Sequence, residues 1–280
     1  MQAMSTTQQI KPLAVAGFLL LSVNVKAAFP VVSDSYTTGS NGYNGNNLDV
    51  RIPLPGELFI GGGYRIYSSY LSNGTISTYK AQVGFTTEND YVRAFGAFTP
   101  LVNGYQDSSF GAEGKVRVFH RGDSFGDRGP RVNLLAGLRD TMVTDNAISF
   151  NEDDVSGGGG FGFYKTYVKG TFTRSIYDKD ITSLSISPTK PTQVDYIPIV
   201  LEGYPDYSFT GTLTQSLLSW WDVYVSYAHI HMKVATFNDA DALSVGTQLT
   251  FFKTLVGSFE YTDYNQPSSG YVSFSLGLKI

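Results

Sequence analysis

Cysteine is absent from the 280-residue sequence. A chain without thiols has no disulfide framework, no thiolate metal ligand and no cysteine nucleophile. The sequence also lacks any run of eighteen apolar residues, which is about the minimum for a helix that spans a bilayer. If this chain crosses a membrane, it does so with strands.

Charged residues are also scarce, at 16% against a usual ~25%. The chain has 20 basic and 24 acidic residues, a net charge of −4, and we therefore expect no nucleic-acid partner. Glycine and aromatic residues are abundant instead, with 30 glycines, 19 tyrosines and 19 phenylalanines. This composition differs from that of an ordinary exported enzyme.

The first 27 residues have the pattern of an export signal. Lys11 supplies a positive charge, Leu13 to Val23 is a largely apolar segment, and Val25-Lys26-Ala27 places small residues where a signal peptidase reads. The apolar segment is too short to span a bilayer as a helix. We expect cleavage after Ala27, which leaves 18 basic and 24 acidic residues and a net charge of −6.

The final stretch, Thr254 to Ile280, predicts two long strands joined by a polar turn. One face of the last strand is continuously apolar, with Val272, Phe274, Leu276, Leu278 and Ile280, and the other carries Tyr271, Ser273, Ser275 and Gly277. Such a pattern over about ten residues suits a strand that spans a bilayer at a tilt of roughly 45°. Because unpaired backbone groups are costly in hydrocarbon, a sheet of such strands must close on itself.

With this C-terminal strand the chain resembles bacterial outer-membrane β-barrel proteins of the porin type, although Ile280 stands where Phe or Trp is more usual. The resemblance is one of architecture and points to no single family. It implies an outer-membrane location, contact with membrane lipid and lipopolysaccharide, and insertion by the barrel-assembly machinery through the C-terminal strand. It implies no cofactor and no metal.

Alternating segments along the chain predict an all-β, closed antiparallel transmembrane barrel of about twelve strands over residues 56–280. The predicted strands are Leu58–Ser69, Ile76–Thr86, Tyr91–Thr99, Phe110–Phe119, Pro130–Asp140, Gly157–Tyr164, Tyr167–Ile176, Tyr207–Ser216, Trp221–His231, Ala242–Phe251, Thr254–Tyr264 and Gly270–Ile280. Short connections such as Lys165-Thr166 predict periplasmic turns, and long polar ones such as Tyr177 to Asp206 predict outer loops. Residues 28–55 are predicted to form a periplasmic or lumenal segment, and pairing of Leu48 to Leu54 would raise the count to as many as fourteen.

Charged residues on the faces opposite the apolar ones are predicted to line the lumen. The basic ones are Arg65, Lys80, Arg93, Lys115, Arg117, Arg131, Arg139 and Lys169, and the acidic ones are Glu113, Asp222 and Glu260, a balance of +5. A basic wall in a water-filled barrel orients and selects small charged solutes. We therefore predict an outer-membrane pore for passive diffusion of small hydrophilic, mainly anionic, solutes.

Two other functions remain open. The lumen side chains could pair with one another and with loop carboxylates, which would give a plugged structural or adhesive barrel. His229 and His231 share a strand face, so they could belong to a barrel enzyme that modifies membrane lipids. Two histidines do not complete a metal site, and no serine–histidine–acid pattern accompanies them, so the prediction is that the protein is not an enzyme.

Two patterns are expected near the membrane surfaces. The acidic clusters Asn151–Asp154 and Asn238–Asp241 are predicted to lie on outer loops as solvated charge. Aromatic residues near the predicted strand ends are typical of interfacial girdles: Trp220, Trp221, Tyr224, Tyr227, Tyr261, Tyr264 and Tyr271.

Overall fold

The computed structural model describes residues 30–279 except for 70–73, 88–89, 121–128, 147, 183–190, 193–200, 235–237, 253 and 266–267. The predicted export signal, residues 1–27, lies outside the described residues. The described chain forms a closed antiparallel barrel of fourteen strands. This confirms the predicted closed all-β barrel, and the strand count is the higher of the two that the sequence allowed.

Most of the chain is in strands. Their bounds are β1 (Val31–Gly39), β2 (Asn44–Pro53), β3 (Leu58–Ser69), β4 (Gly74–Thr86), β5 (Tyr91–Val102), β6 (Tyr105–His120), β7 (Arg131–Asp145), β8 (Ile148–Phe163), β9 (Thr166–Tyr177), β10 (Pro191–Thr192), β11 (Leu201–Glu202), β12 (Pro205–Leu218), β13 (Trp221–Met232), β14 (Ala240–Phe251), β15 (Leu255–Asn265) and β16 (Ser268–Lys279). Single turns of 3₁₀ helix at Ser40–Gly42 and Pro55–Glu57 flank β2.

Each barrel strand pairs with its neighbour in the sequence, and β9 pairs with β12 across the connection that contains the two-stranded β10–β11 sheet. β1 closes the barrel against β16, from Val31↔Lys279 to Gly39↔Tyr271. The beginning of β1 and the end of β16 therefore share one end of the barrel, which we call the terminal end. The opposite end carries the long 178–204 connection and is called the loop end.

The prediction that residues 28–55 form a periplasmic or lumenal segment is corrected by β1 and β2, which complete the barrel. Val31–Gly39 pairs with β16 on one side and with β2 on the other. The segment escapes recognition because both of its faces carry short polar side chains, including Asp34 and Thr38 on the outside. Backbone pairing is independent of side-chain hydropathy, and closure of the barrel requires it.

Turn chemistry explains why β5 and β6 extend beyond their predicted bounds. Asn103 and Gly104 both have positive φ, 51° and 84°. Two consecutive positive φ values define the type I′ turn that Asn-Gly favours in two-residue hairpins. β5 and β6 consequently run up to this turn, with Val102 opposite Tyr105.

The barrel exterior is an apolar belt. Large hydrophobic side chains such as Phe110, Leu138, Val168 and Leu276 are 67%, 62%, 49% and 56% exposed, and their strand neighbours face inward. Among the described residues, no helix is long and apolar enough to cross a membrane.

Candidate functional site in the barrel lumen

All eleven charged residues predicted to line the lumen lie on strand faces opposite the apolar belt. Arg65, for example, is opposite Asn47 and Thr78, and Arg93 is opposite Glu113. Their heights in the barrel differ. Arg93, Glu113, Lys115, Arg117, Arg131, Lys169 and Asp222 lie toward the terminal end, Arg65, Lys80 and Glu260 lie between the two ends, and Arg139 lies toward the loop end.

The terminal half of the lumen contains a cavity of about 380 Å³. Arg51, Arg93 and Lys169 line it together with a single acid, Glu113. Hydroxyl groups of Thr86, Tyr91, Ser156 and Thr171 and the side chains of Phe59 and Leu135 complete much of its wall. The lining therefore combines an excess of positive charge with neutral hydrogen-bonding groups.

Arg51 is a lumen cation that the sequence analysis missed. It belongs to β2, where its guanidinium carbon lies 4.6 Å from the centre of the Phe59 ring. The signal was present, since Val50 and Ile52 alternate with Arg51, but the segment was not assigned to the barrel and its faces could not be oriented.

Aromatic rings support several of the lumen cations. The Lys115 ammonium lies 5.9 Å from the centre of the Tyr91 ring, and the Arg131 guanidinium carbon lies 5.7 Å from that of Tyr167. A side chain at Gly160 would collide with the Tyr167 hydroxyl, so this glycine makes room for the ring. These contacts hold cations against the wall through cation–π attraction.

The pair Arg93–Glu113 crosses the cavity wall. The Arg93 Nη2 atom lies 2.9 Å from Glu113 Oε1, and Arg93 Nη1 donates to Gln82 Oε1 at 2.9 Å. Tyr91 also donates to Glu113 Oε1, at 3.1 Å. Because both charged side chains stay between a quarter and a third exposed, solvent screens their attraction.

Midway between the two ends of the barrel, charged side chains form hydrogen bonds with neutral polar side chains. Lys80 donates from Nζ to Asn47 Oδ1 at 2.9 Å. Glu260 accepts from the Tyr224 hydroxyl at 2.6 Å and from the Thr262 hydroxyl at 3.1 Å. Arg65 and Glu260 line a second cavity of about 170 Å³.

Toward the loop end the lumen is acidic. Glu152 and Asp154, which the sequence analysis placed on an outer loop, lie in the loop-end half of β8 and are 2% and 5% exposed on its inner face. Arg139 donates from Nε to Asp154 Oδ2 at 2.8 Å, and the Ser175 hydroxyl donates to Asp154 Oδ1 at 2.5 Å. From sequence alone, acidic residues in a polar, glycine-rich stretch are predicted to be solvated. Strand pairing instead turns alternate ones toward the inner face, where they are buried.

The lumen charge is therefore smaller than the predicted +5. On the inner strand faces whose side chains are described, nine basic residues stand against eight acidic ones. Beyond the predicted set, the additions are Arg51, Asp49, Asp107, Asp145, Glu152 and Asp154. The balance is +1, and the charges are separated by height, because Asp107, Asp145, Glu152 and Asp154 all lie toward the loop end.

Apolar and aromatic side chains pack inside the loop end, and we call them the cap. One cluster includes Tyr43, Tyr67, Ile76, Ile230, Tyr264 and Tyr271, and the other consists of Tyr105, Val143, Phe150, Ile181, Tyr204 and Val234. Rings within the clusters contact at centroid distances of 5.5 Å for Tyr43–Tyr271 and 5.2 Å for Phe150–Tyr204. The Tyr204 hydroxyl donates to Asp145 Oδ2 at 2.9 Å, which joins the cap to the acidic wall.

The predicted aromatic girdle is divided between the two faces of the barrel. Trp220, Tyr227 and Tyr261 are each 45% exposed on the outside, and the Trp220 and Trp221 rings stack at 6.1 Å. Tyr224, Tyr264 and Tyr271 face the lumen instead. Tyrosines near strand ends suit either role, and only strand parity distinguishes the two.

His229 and His231 lie on the outer face of β13 at the loop end. His229 Nδ1 is 2.8 Å from Asp241 Oδ1, and His231 Nδ1 is 2.9 Å from Asp239 Oδ2. The strand neighbours of His229 are Phe209 and Asp241, so no serine stands beside it in register. The described residues contain no group of three or more histidine or acidic side chains arranged to hold a metal ion.

No family model and no curated protein matches the chain. Solved structures with a similar barrel include a bacterial polysaccharide outer membrane secretin, with 11% identity over 90% of this chain and 99% of that one and a TM-score of 0.49. OccK10 (OpdN) of Pseudomonas aeruginosa is 11% identical over 90% of this chain and 98% of its own, with a TM-score of 0.45. The KdgM porin is 6% identical over 89% and 99%, with a TM-score of 0.44. At such low identities and TM-scores these likenesses carry nothing about substrates, so the functional argument rests on the lumen itself.

Proposed function

We propose that this protein is an outer-membrane channel through which small hydrophilic solutes diffuse, with a preference for anions. The observation that supports the preference is the cavity in the terminal half of the lumen. Three cations line it, Arg51, Arg93 and Lys169, against Glu113 alone. Fixed charge of one sign in a narrow, low-dielectric passage raises the local concentration of oppositely charged solutes.

The membrane location is supported by the exterior. A belt of exposed apolar side chains surrounds a barrel whose backbone groups are paired around the ring. Hydrocarbon requires both features. In our proposal the terminal end faces the periplasm, because barrels with an even number of strands and short turns at one end hold both termini there.

A second candidate function is a plugged barrel with a structural or adhesive role. The cap favours it, because Tyr105, Tyr204 and Tyr264 are at most 1% exposed inside the loop end. In this alternative the lumen cations would balance charges within a closed interior, and the outer loops would carry the function.

Single-channel recording in a planar bilayer distinguishes the two. The channel proposal predicts discrete conductance steps and, under a salt gradient, a reversal potential of the sign that anion permeation gives. The double variant Arg51→Glu, Lys169→Glu should reverse that sign. Arg174→Glu is the matched control, since Arg174 lies on the exterior, paired with Asp206 at 2.7 Å, and its reversal should leave the potential unchanged.

The same recordings can contradict the channel. Absence of conductance from protein that migrates as a folded, heat-modifiable barrel would favour the plugged alternative. Steady conductance whose ion preference is insensitive to the double variant would show that the cavity is not the selective region.

A further inference from the structure

The fixed charge of the lumen is separated along the barrel axis. On the inner strand faces whose side chains are described, six cations lie toward the terminal end: Arg51, Arg93, Lys115, Arg117, Arg131 and Lys169. At the same height those faces carry two acids, Glu113 and Asp222. The balance of this stretch, which we call the terminal zone, is therefore +4.

The loop end has the opposite sign. There the same inner faces carry one cation, Arg139, against four acids: Asp107, Asp145, Glu152 and Asp154. The balance of this stretch, the loop zone, is −3. The Tyr105 hydroxyl donates to Asp107 Oδ2 at 2.5 Å, and the Tyr204 hydroxyl donates to Asp145 Oδ2 at 2.9 Å. A hydroxyl donor stabilises a carboxylate but adds no charge to cancel it.

The stretch between the two zones is neutral. Arg65 and Lys80 lie there against Asp49 and Glu260. Asp49 belongs to this stretch because it and Lys80 are both in register with Gly63. A positive zone and a negative zone are thus arranged in series along the axis, and the neutral stretch is the junction between them.

The terminal zone is narrow enough for its walls to control the ions inside it. A round cavity of about 380 Å³ is about 9 Å across, less than the Debye length of about 10 Å at 0.1 M salt. At 1 M salt the Debye length falls to about 3 Å, and the field is confined to the wall. At low salt we therefore expect anions to dominate in the terminal zone and cations in the loop zone.

We propose that the lumen is an ionic rectifier, which passes more current when the terminal side of the membrane is negative than when it is positive. The inference rests on the proposed channel, because only a conducting lumen rectifies. With the terminal side negative, anions enter through the terminal zone and cations enter through the loop zone, so each ion enters through the zone that attracts it. Each ion then meets the zone that repels it, and both accumulate in the lumen, which raises the conductance.

The opposite polarity depletes the lumen of ions. Anions must then enter through the acidic loop zone and cations through the basic terminal zone, and each entry is opposed by like charge. Both ions leave through the zone that attracts them, so the lumen empties and the conductance falls. The asymmetry appears only under an applied potential, since fixed charges cannot drive net diffusion on their own.

Single-channel current–voltage curves of the refolded protein test the rectifier. The orientation of each channel is read from Thr254→Cys, an exposed position in the turn between β14 and β15 at the terminal end. Because the chain has no native cysteine, a bulky maleimide–polyethylene glycol added to one chamber changes the current only when the terminal end faces that chamber. At 0.1 M salt we expect about twofold more current with the terminal side negative, and a ratio near one at about 1 M.

Neutralising either zone should reduce the asymmetry. The variant Lys115→Gln, Lys169→Gln removes two cations from the terminal zone, and Asp107→Asn, Glu152→Gln removes two acids from the loop zone. We expect each to lower the excess current at the favoured polarity by about half at 0.1 M salt. The matched control is Asp140→Asn, Asp153→Asn. Those two acids are exposed on the outer face, in register with each other toward the loop end, so their removal should leave the ratio unchanged.

The outcomes separate the rectifier from the channel. Equal currents at the two polarities, or more current with the terminal side positive, overturn the rectifier and leave the channel standing. An asymmetry that persists at high salt and in both zone variants also overturns it, since the shape of the cap and not the charge then causes it. Absence of conductance from a folded, heat-modifiable barrel overturns the channel and the rectifier together. If Glu152→Gln prevents folding, the lysine variant decides alone.

Discussion

The two halves of the lumen use the same kinds of charged residues for different purposes. In the terminal half, Arg93 and Glu113 remain partly exposed beside an open cavity. In the loop half, Arg139 is about as exposed as Arg93, at 30% against 33%, but the Asp154 side chain is only 6% exposed against 24% for Glu113. The difference teaches that an ion pair on a barrel wall is a selectivity element or a structural one according to how deeply its carboxylate is buried.

The largest effect should come from breaking the Arg139–Asp154 pair, whose carboxylate is buried. Arg139→Ala leaves Asp154 buried without this partner and should lower the free energy of unfolding by about 3–5 kcal/mol. Urea unfolding in vesicles, followed by the fluorescence of Trp220 and Trp221, measures it. Adding Asp154→Asn should restore part of the loss, and an Arg139→Ala barrel as stable as the parent would contradict a structural loop half.

Removing side-chain volume from the cap should lower the free energy of unfolding slightly less than Arg139→Ala does. It should also change single-channel conductance. Ile230 is fully buried in the cap, so Ile230→Ala should lower the unfolding free energy by about 2–5 kcal/mol and raise single-channel conductance. Leu135→Ala in the partly exposed cavity wall is the control and should cost about 1 kcal/mol or less. Equal losses at the two positions would remove the distinction between a packed cap and an open cavity.

The partly exposed pair Arg93–Glu113 should contribute little to stability and more to ion preference. Glu113→Gln should change the unfolding free energy by about 1 kcal/mol or less, because solvent already screens its attraction to Arg93. It also removes the single acid of the cavity lining, so the reversal potential should move further toward anion preference. A shift toward cations would show that Glu113 does not face the permeating ions.

The smallest effect is expected outside the lumen, at the loop-end rim. A hydrogen bond from His231, together with one from the backbone N–H of Met232, lowers the pKa of Asp239. A depressed folded pKa means that this contribution to stability is present above the ordinary value of 3.8 and is lost as the pH falls through the folded value. His231→Ala should raise the pKa of Asp239 in an NMR titration, while Arg139→Ala should leave it unchanged.

Much of the barrel is predictable from alternation alone. Strands such as β6 and β7, where Val116 and Leu134 alternate with charged residues, are recognisable because their two faces differ strongly. β1 is not, since Asp34 and Thr38 occupy outer positions.

The candidate site was predictable only as a set of inward faces. A period of two assigns Arg93 and Lys169 to the lumen, but it does not give their height or their neighbours across the barrel. Those depend on the stagger of fourteen strands, which follows from closure and not from local sequence. For the same reason the burial of Glu152 and the cap tyrosines such as Tyr264 could not be anticipated.

The most direct test of the two-halves account measures charge and access at once. Ser156→Cys places a thiol in the cavity and Thr262→Cys places one beneath the cap, where Thr262 is fully buried. We predict that an anionic methanethiosulfonate modifies Ser156→Cys about fivefold faster than a cationic one of similar size, and that both reagents modify Thr262→Cys at least tenfold more slowly. Equal rates for the two reagents at Ser156→Cys, or equal access to both thiols, would contradict a basic cavity below a packed cap.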